Sequence, residues 1–252
     1  MNDASLLALA DDLAQRAGEA ILAIRSRGFA VRQKSDLSPV TEADHAAEAI
    51  ILAGLRAATP DIPVVAEEEV ASGHLTAPGA AFWLVDPLDG TREFTAGSDE
   101  FTVNIGLIRD GRPVLGLVGV PALGETFGGI VGQGAWKRDA SGQTPIVVRV
   151  PPAEGLTVMA SRHHADGVEM TAFLAGRLVA EITNVGSSLK FCRVAEGKVD
   201  LYPRLGRTME WDTAAAHAVI EAAGGTVTCT DGSPLQYGKP GFENPHFICL
   251  GG

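Results

Sequence analysis

Between Phe101 and Asp139 the chain reads FTVNIGLI, RDGRP, VLGLVGVP, then GETFGGIV and GQGAWKRD, and no other feature restricts its fold as strongly. Phe101, Val103, Ile105 and Leu107 recur with the period of two that belongs to a strand with distinct faces. The runs that follow are short and joined by glycine-containing turns, which predicts an antiparallel meander.

Helical patterns precede the meander. MNDASLLALADDLAQRAGEAILAI has Asp11, Asp12, Arg16 and Glu19 at helical spacing, so it predicts an amphipathic first helix and no signal peptide. In SDLSPVTEADHAAEAIILAGLRAATPD a second helix is expected, with Thr41 as N-cap, Asp44 three residues on as in a capping box, and Pro60 just past the end. IPVVAEEE reads as a short strand running into Glu67, Glu68 and Glu69, and AFWLVD as another ending at Asp86.

Pro151-Pro152 marks the expected lobe boundary, dividing residues 1–150, an α+β lobe with an antiparallel sheet, from 151–252. Beyond it strand-like LTVMAS, EITNV, KVDLYP, TVTC and HFICL are interleaved with helical ADGVEMTAFLAGRL, SSLKFCRVAEG and DTAAAHAVIEAAGG. Such alternation predicts an α/β lobe.

With 252 residues, 46% of them hydrophobic, the chain can bury a full-sized core, and disorder is excluded. A formal net charge of −11 repels a nucleic-acid backbone, so a bound polyanion needs cations to mediate it. Cys192, Cys229 and Cys249 are odd in number and widely spaced, which argues against disulfides or a zinc site and for a reduced, cytoplasmic setting. No uncharged apolar run is long enough to span a bilayer.

The chemistry concentrates in WLVDPLDGTREFTAG, Trp83 to Gly97. Asp86 ends an apolar strand and Asp89 follows across Pro-Leu, so both carboxylates are expected to project toward one spot. Two like charges that close require a cation or a raised pKa. With oxygen donors and no Cys or His nearby, the cation is a hard one, Mg²⁺ or Mn²⁺. Taken alone, D-P-L-D-G is also an ordinary turn. If a helix begins in GTREF, its first N–H groups point at a phosphate.

Other acids have plain readings too. Glu67 and Glu68 suit a solvated run, Asp212 stands where an N-cap belongs, ahead of a helix ended by Gly224, and Asp44 completes a capping box. Their joint occurrence suggests a carboxylate cage drawn from distant parts of the chain.

A double Glu, then D-P-L-D-G-T, then W-D-x-A-A with a downstream A-G-G, resembles the inositol monophosphatase superfamily of Mg²⁺-dependent, lithium-sensitive phosphatases. R-E-F after the D-P-L-D-G-T, S-P-V-T-E-A-D, G-S-S-L-K-F-C-R-V-A-E-G at Gly186 to Gly197 and L-Y-P-R at Leu201 to Arg204 are similar to its 3′(2′),5′-bisphosphate nucleotidase branch.

The resemblance implies a layered αβαβα sandwich of the inositol monophosphatase and fructose-1,6-bisphosphatase type. It implies a first Mg²⁺ on Glu67, Asp86 and the Leu88 carbonyl, a second on Asp86, Asp89 and Asp212, and a third near Glu67, with Mn²⁺ as a substitute. It makes Thr91, hydrogen-bonded to Asp44, the activator of the attacking water, with the Gly90 and Thr91 N–H groups on the transferred phosphate. Ser187, Ser188, Lys190, Arg204 and His164 are implied to hold the rest of a small nucleotide bisphosphate. His163 departs from the small polar residue expected beside His164. Lys190 also suits an exposed helix lysine, and Arg204 a surface salt bridge.

The implied reaction removes the 3′-phosphate of 3′-phosphoadenosine 5′-phosphate in support of sulfur assimilation. The rival readings are an inositol or sugar phosphatase, and a silent metal- or nucleotide-binding module. Elsewhere, His217 is expected to be packed or hydrogen-bonded, and Cys192 and Cys229 to be buried.

Overall fold

The computed structural model of the protein describes residues 1–34, 38–161 and 168–252. Helix α1 (Asp3–Arg27) starts where Asn2 Oδ1 accepts the Ser5 N–H, and it buries Leu6, Leu13, Ala17 and Ile21 on one face. Strands β1 (Val31–Gln33) and β2 (Pro39–Thr41) form a small antiparallel pair that leads into α2 (Glu42–Ala58). β3 (Val64–Ala66) passes directly into a five-residue helix, α3 (Glu67–Ala71). β4 (Ala81–Asp89) is followed by α4 (Thr91–Thr95). The meander comprises β5 (Thr102–Arg109), β6 (Arg112–Val120), β7 (Glu125–Ile130), β8 (Gly134–Asp139) and β9 (Gly142–Ile146).

These strands make one seven-stranded sheet in the order β3 to β9, antiparallel except for the β3–β4 pair. The meander predicted from the sequence is present and extends by one further strand, β9.

The later residues alternate as expected: β10 (Leu156–Ser161), α5 (Val168–Leu174), β11 (Val179–Val185), α6 (Leu189–Ala195), β12 (Leu201–Arg204), α7 (Ala214–Ala222), β13 (Thr226–Cys229) and β14 (Phe247–Leu250). They form a five-stranded sheet in the order β11-β10-β12-β14-β13, with β14 antiparallel to both of its neighbours.

Helices separate the two sheets. α1 and α2 cover one face of the larger sheet, while α7 lies across β5 to β8 on the other and also touches β13. α6 packs on α7, β12 and β14. This is the layered α/β architecture expected from the sequence. One apolar core crosses the layers, joining Phe82, Leu84 and Phe127 to Phe191, Val219 and Phe247.

α7 approaches β5 and β6 closely because Gly106 and Gly116 face each other across the two strands. A β-carbon on Gly116 would lie 2.0 Å from the Ala215 carbonyl oxygen, so only glycine admits the helix backbone there. Gly106 is two residues along β5 from Asn104, the register partner of Asp86. Seating α7 on these glycines therefore brings Asp212, just ahead of the helix, to the end of β4.

Candidate active site

A cleft of about 440 Å³ opens where β4, α4, the segment before α6, the end of β12 and the turn before α7 meet. Glu67, Asp86, Leu88, Asp89, Gly90, Thr91, Ser187, Ser188, Lys190, Arg204 and Asp212 all line it. Asp44 reaches it through Thr91. His164, the remaining residue expected here, lies outside the described residues, as does His163.

Asp86 and Asp89 share the cleft because β4 is bulged. Asp86 pairs with Asn104 and Asp89 with Thr102, so three steps on β4 oppose two on β5. In a regular strand residues three apart point to opposite faces; the extra residue rephases the strand and turns Asp89 to the side of Asp86. The expected Pro-Leu turn is thus a β-bulge, with the Leu88 N–H donating to Asp86 Oδ1 at 3.0 Å. Gly90 then takes φ 89°, where a β-carbon would meet the Glu100 carbonyl oxygen at 3.1 Å. α4 begins at Thr91, as GTREF suggested, and runs for five residues.

Asp44 both completes the capping box and accepts a hydrogen bond from Thr91. Its Oδ2 accepts the Thr41 N–H and hydroxyl, each at 2.8 Å, and Thr41 Oγ1 accepts the Ala43 N–H. Its Oδ1 lies 3.0 Å from Thr91 Oγ1, which is also 3.1 Å from the Leu88 carbonyl oxygen. Burial raises the Asp44 pKa against the lowering effect of its Thr41 and Thr91 hydrogen bonds.

The plain readings of Asp212, of Glu67 and Glu68, and of Lys190 are corrected. Asp212 is not the N-cap of α7: the helix starts at Ala214 after Thr213, and Asp212 Oδ2 instead accepts the Met209 N–H at 2.8 Å, closing the preceding turn. Glu67 and Glu68 do not close a strand as a solvated run. They open α3, Glu68 is buried, and Lys34 Nζ bridges them at 2.7 and 2.6 Å. Lys190 is not an exposed helix lysine. It is buried, donates from Nζ to the Val185 and Ser187 carbonyls, and sits 5.3 Å from the centre of the Tyr202 ring.

The electrostatics follow from crowding. Asp86 is raised well above the usual carboxylate range by burial and by Glu67, Asp89 and Asp212. Asp212 is raised likewise by burial, Asp89 and Glu67. Asp89 is pushed up to about 6 by burial, opposed by Lys190 and by the Ser188 N–H it accepts. Burial pulls Lys190 down to about 8, with Asp89 opposing. Burial also opposes the charge on Lys34, but Glu67 and Glu68 hold its pKa above the ordinary lysine value.

The donor set, all carboxylate and carbonyl oxygen, suits Mg²⁺ or Mn²⁺, and its mutual repulsion is what a divalent ion would relieve. Among the described residues no three acidic, His or Cys side chains close on a single ion position, and the Lys34 ammonium takes the Glu67 carboxylate.

On the opposite wall, Arg204 Nη2 donates to the Arg207 carbonyl while its Nε is buried without a partner, so Arg204 is not held by a surface salt bridge among the described residues. The Ser188 hydroxyl is occupied by Thr102 and Asn104. Sequence reasoning passed over Lys34, which lines the cleft, and Glu48, since one basic residue near a hairpin and one helical Glu carry no local signal of their partners.

Residues 2–246 match the inositol monophosphatase family. The chain belongs to that family. Among its relatives, the 3′(2′),5′-bisphosphate nucleotidase CysQ of Escherichia coli strain K12 is 45% identical over 238 residues, covering 93% of this chain and 95% of that protein. The crystal structure of CysQ from Bacteroides thetaiotaomicron, a bacterial member of the family, superposes with a TM-score of 0.81 at 35% identity, over 98% of this chain and 97% of that one. An inositol monophosphatase from Anabaena superposes with a TM-score of 0.80 at 29% identity, over 100% and 92% of the two chains. No helix among the described residues is long and apolar enough to cross a membrane.

Elsewhere the plain expectations hold for His217, buried between Tyr237 and Glu221, and for Cys192. Cys229 is half-buried at the end of β13.

Proposed function

We propose that the chain is a Mg²⁺-dependent phosphatase that hydrolyses the 3′-phosphate of 3′-phosphoadenosine 5′-phosphate to AMP and inorganic phosphate, serving sulfur assimilation in a cytoplasmic, reducing setting. The observation that carries the reading is the Thr91–Asp44 hydrogen bond beside a cleft whose one wall is acidic and whose other wall carries Lys190 and Arg204.

Glu67, Asp86, the Leu88 carbonyl, Asp89 and Asp212 would hold two Mg²⁺ ions, with Asp86 shared and a third ion near Glu67; Mn²⁺ would substitute. Bound there, the ions supply charge neutralisation on the attacked phosphate and on the leaving oxygen, and acidify the attacking water. Thr91 Oγ1, which donates to Asp44 Oδ1, would take a proton from the attacking water while passing its own to that carboxylate. The water oxygen forms a bond to phosphorus as the bond from phosphorus to the ribose 3′-oxygen breaks in line; the electron pair goes to that oxygen, which leaves as a hydroxyl after taking a proton from solvent, and Asp44 returns its proton to solvent. The Gly90 and Thr91 N–H groups, at the start of α4, receive the charge on the transferred phosphate.

Lys190 and Arg204 supply cationic groups for the second phosphate, and both line the cleft. Ser187 and Ser188 border this wall, and His164 is proposed to contact the nucleotide. The identity to CysQ proteins favours this substrate over an inositol ester.

The test is phosphate release from 3′-phosphoadenosine 5′-phosphate, inositol 1-phosphate and fructose 1,6-bisphosphate, with Mg²⁺ and with EDTA. The nucleotide is expected to be turned over fastest and only with the metal. A preference for the inositol ester would reassign the substrate, and no release from any ester with ample Mg²⁺ would favour a silent binding module.

A further inference from the structure

Glu48 plays no part in the scheme above, yet it is buried in α2 and its Oε2 accepts the Glu68 N–H at 2.8 Å. α3 begins at Glu67, with Ala66 in the N-cap position and no side-chain cap of its own. A capping side chain ordinarily takes the N–H of the second or third helical residue, and Glu68 is the second. Glu48 therefore supplies from another helix the cap that Ala66 lacks.

Asp44 stands four residues earlier on the same buried face of α2, which places the two carboxylates one turn apart. It performs the parallel task for the other acidic segment, holding Thr91 at the end of the β4 bulge. One rigid helix thus grips both acid-bearing elements: Asp44 the segment with Asp86 and Asp89, Glu48 the turn with Glu67. A Ser or Thr at position 66 would cap α3 without placing another carboxylate beside Glu67, Glu68 and Glu69. A local cap would not tie α3 to α2.

We propose that Glu48 is a positioning residue for the acidic cleft: by capping α3 from α2 it sets where the Glu67 carboxylate stands relative to Asp86 and Asp89. The inference rests on the reading of Glu67 as a cation ligand.

The test is Mn²⁺ binding to the metal-free full chain, titrated by electron paramagnetic resonance without substrate, with circular dichroism to establish folding. E48A, which removes the acceptor, and E48D, whose shorter arm keeps the charge but not the reach, are expected to weaken Mn²⁺ binding by about tenfold or more, the usual scale for a group that orients a metal ligand. E48Q, whose amide oxygen can still accept the Glu68 N–H, is expected to recover most of the affinity. Should E48A fail to fold, E48D carries the test. Unchanged Mn²⁺ affinity in folded E48A or E48D overturns the proposal, as does an E48Q as weak as E48A, which would make charge the determinant. Absence of Mn²⁺ binding by the unmodified chain would instead overturn the cation reading itself.

Discussion

Thr91 Oγ1 and Asp44 Oδ1, 47 residues apart in sequence, lie 3.0 Å apart beside the acidic cleft. Thr91→Ala removes the hydroxyl that relays the proton but leaves Asp44 bonded to Thr41. kcat is expected to fall by roughly 10² or more, the scale of a lost general base, with the far-UV spectrum unchanged. Thr91→Ser should retain most of the rate. Equal kcat for Thr91→Ala and the unmodified chain in a steady-state assay would remove the relay.

Lys190 faces the ring of Tyr202 and holds the Val185 and Ser187 carbonyls. Lys190→Met keeps the stem and deletes the charge. KM for 3′-phosphoadenosine 5′-phosphate is expected to rise about 10- to 100-fold, which corresponds to one charged hydrogen bond, while KM for inositol 1-phosphate rises much less. Parallel increases for both esters would show that Lys190 contacts only the phosphate they share.

His217 is buried between the Tyr237 hydroxyl at 2.8 Å and Glu221 at 3.1 Å. A carboxylate only accepts, so Nε2 carries the proton and Nδ1 can accept from Tyr237. Burial holds the His217 pKa below its ordinary 6.5, with Glu221 opposing. In the unfolded chain the ring protonates near 6.5, before the folded chain can follow. This contribution to stability is therefore complete above pH 6.5 and is lost as the pH falls through the folded value. Urea unfolding at pH 5.5 and 7.5 should show a smaller difference for His217→Gln than for the unmodified chain. An unchanged difference would exclude His217 as its source.

Gly116 meets the Ala215 backbone where α7 crosses the sheet. Gly116→Ala forces the helix outward and is expected to cost about 1–3 kcal/mol, as overpacking does elsewhere. Because α7 carries Asp212 into the cleft, kcat should fall as well. A urea midpoint within error of the unmodified chain would show that the helix shifts freely.

Much of the scaffold was legible in local pattern. The period of two in FTVNIGLI, the strand-and-helix alternation after Pro152 and the Thr41–Asp44 capping box each depend on neighbours within one element, and each appears in the fold. Asp212 shows where such reasoning stops. Its spacing suits an N-cap, but α7 begins later and the carboxylate closes the turn at Met209. Glu68 and Lys190 were ambiguous for the same reason, since burial belongs to what other segments place around a residue.

The two kinds of sheet-forming rhythm, the helices and the family motifs can be read along the chain, because periodicity, turn chemistry and residue order are local properties. Folding adds what no local pattern carries: a bulge in β4 turns Asp89 toward Asp86, two glycines let α7 bring Asp212 to them, and Asp44 and Glu48 hold separate acidic segments from one helix. Those relations arise from contacts between residues far apart in the chain, where register and close packing set which side chains meet.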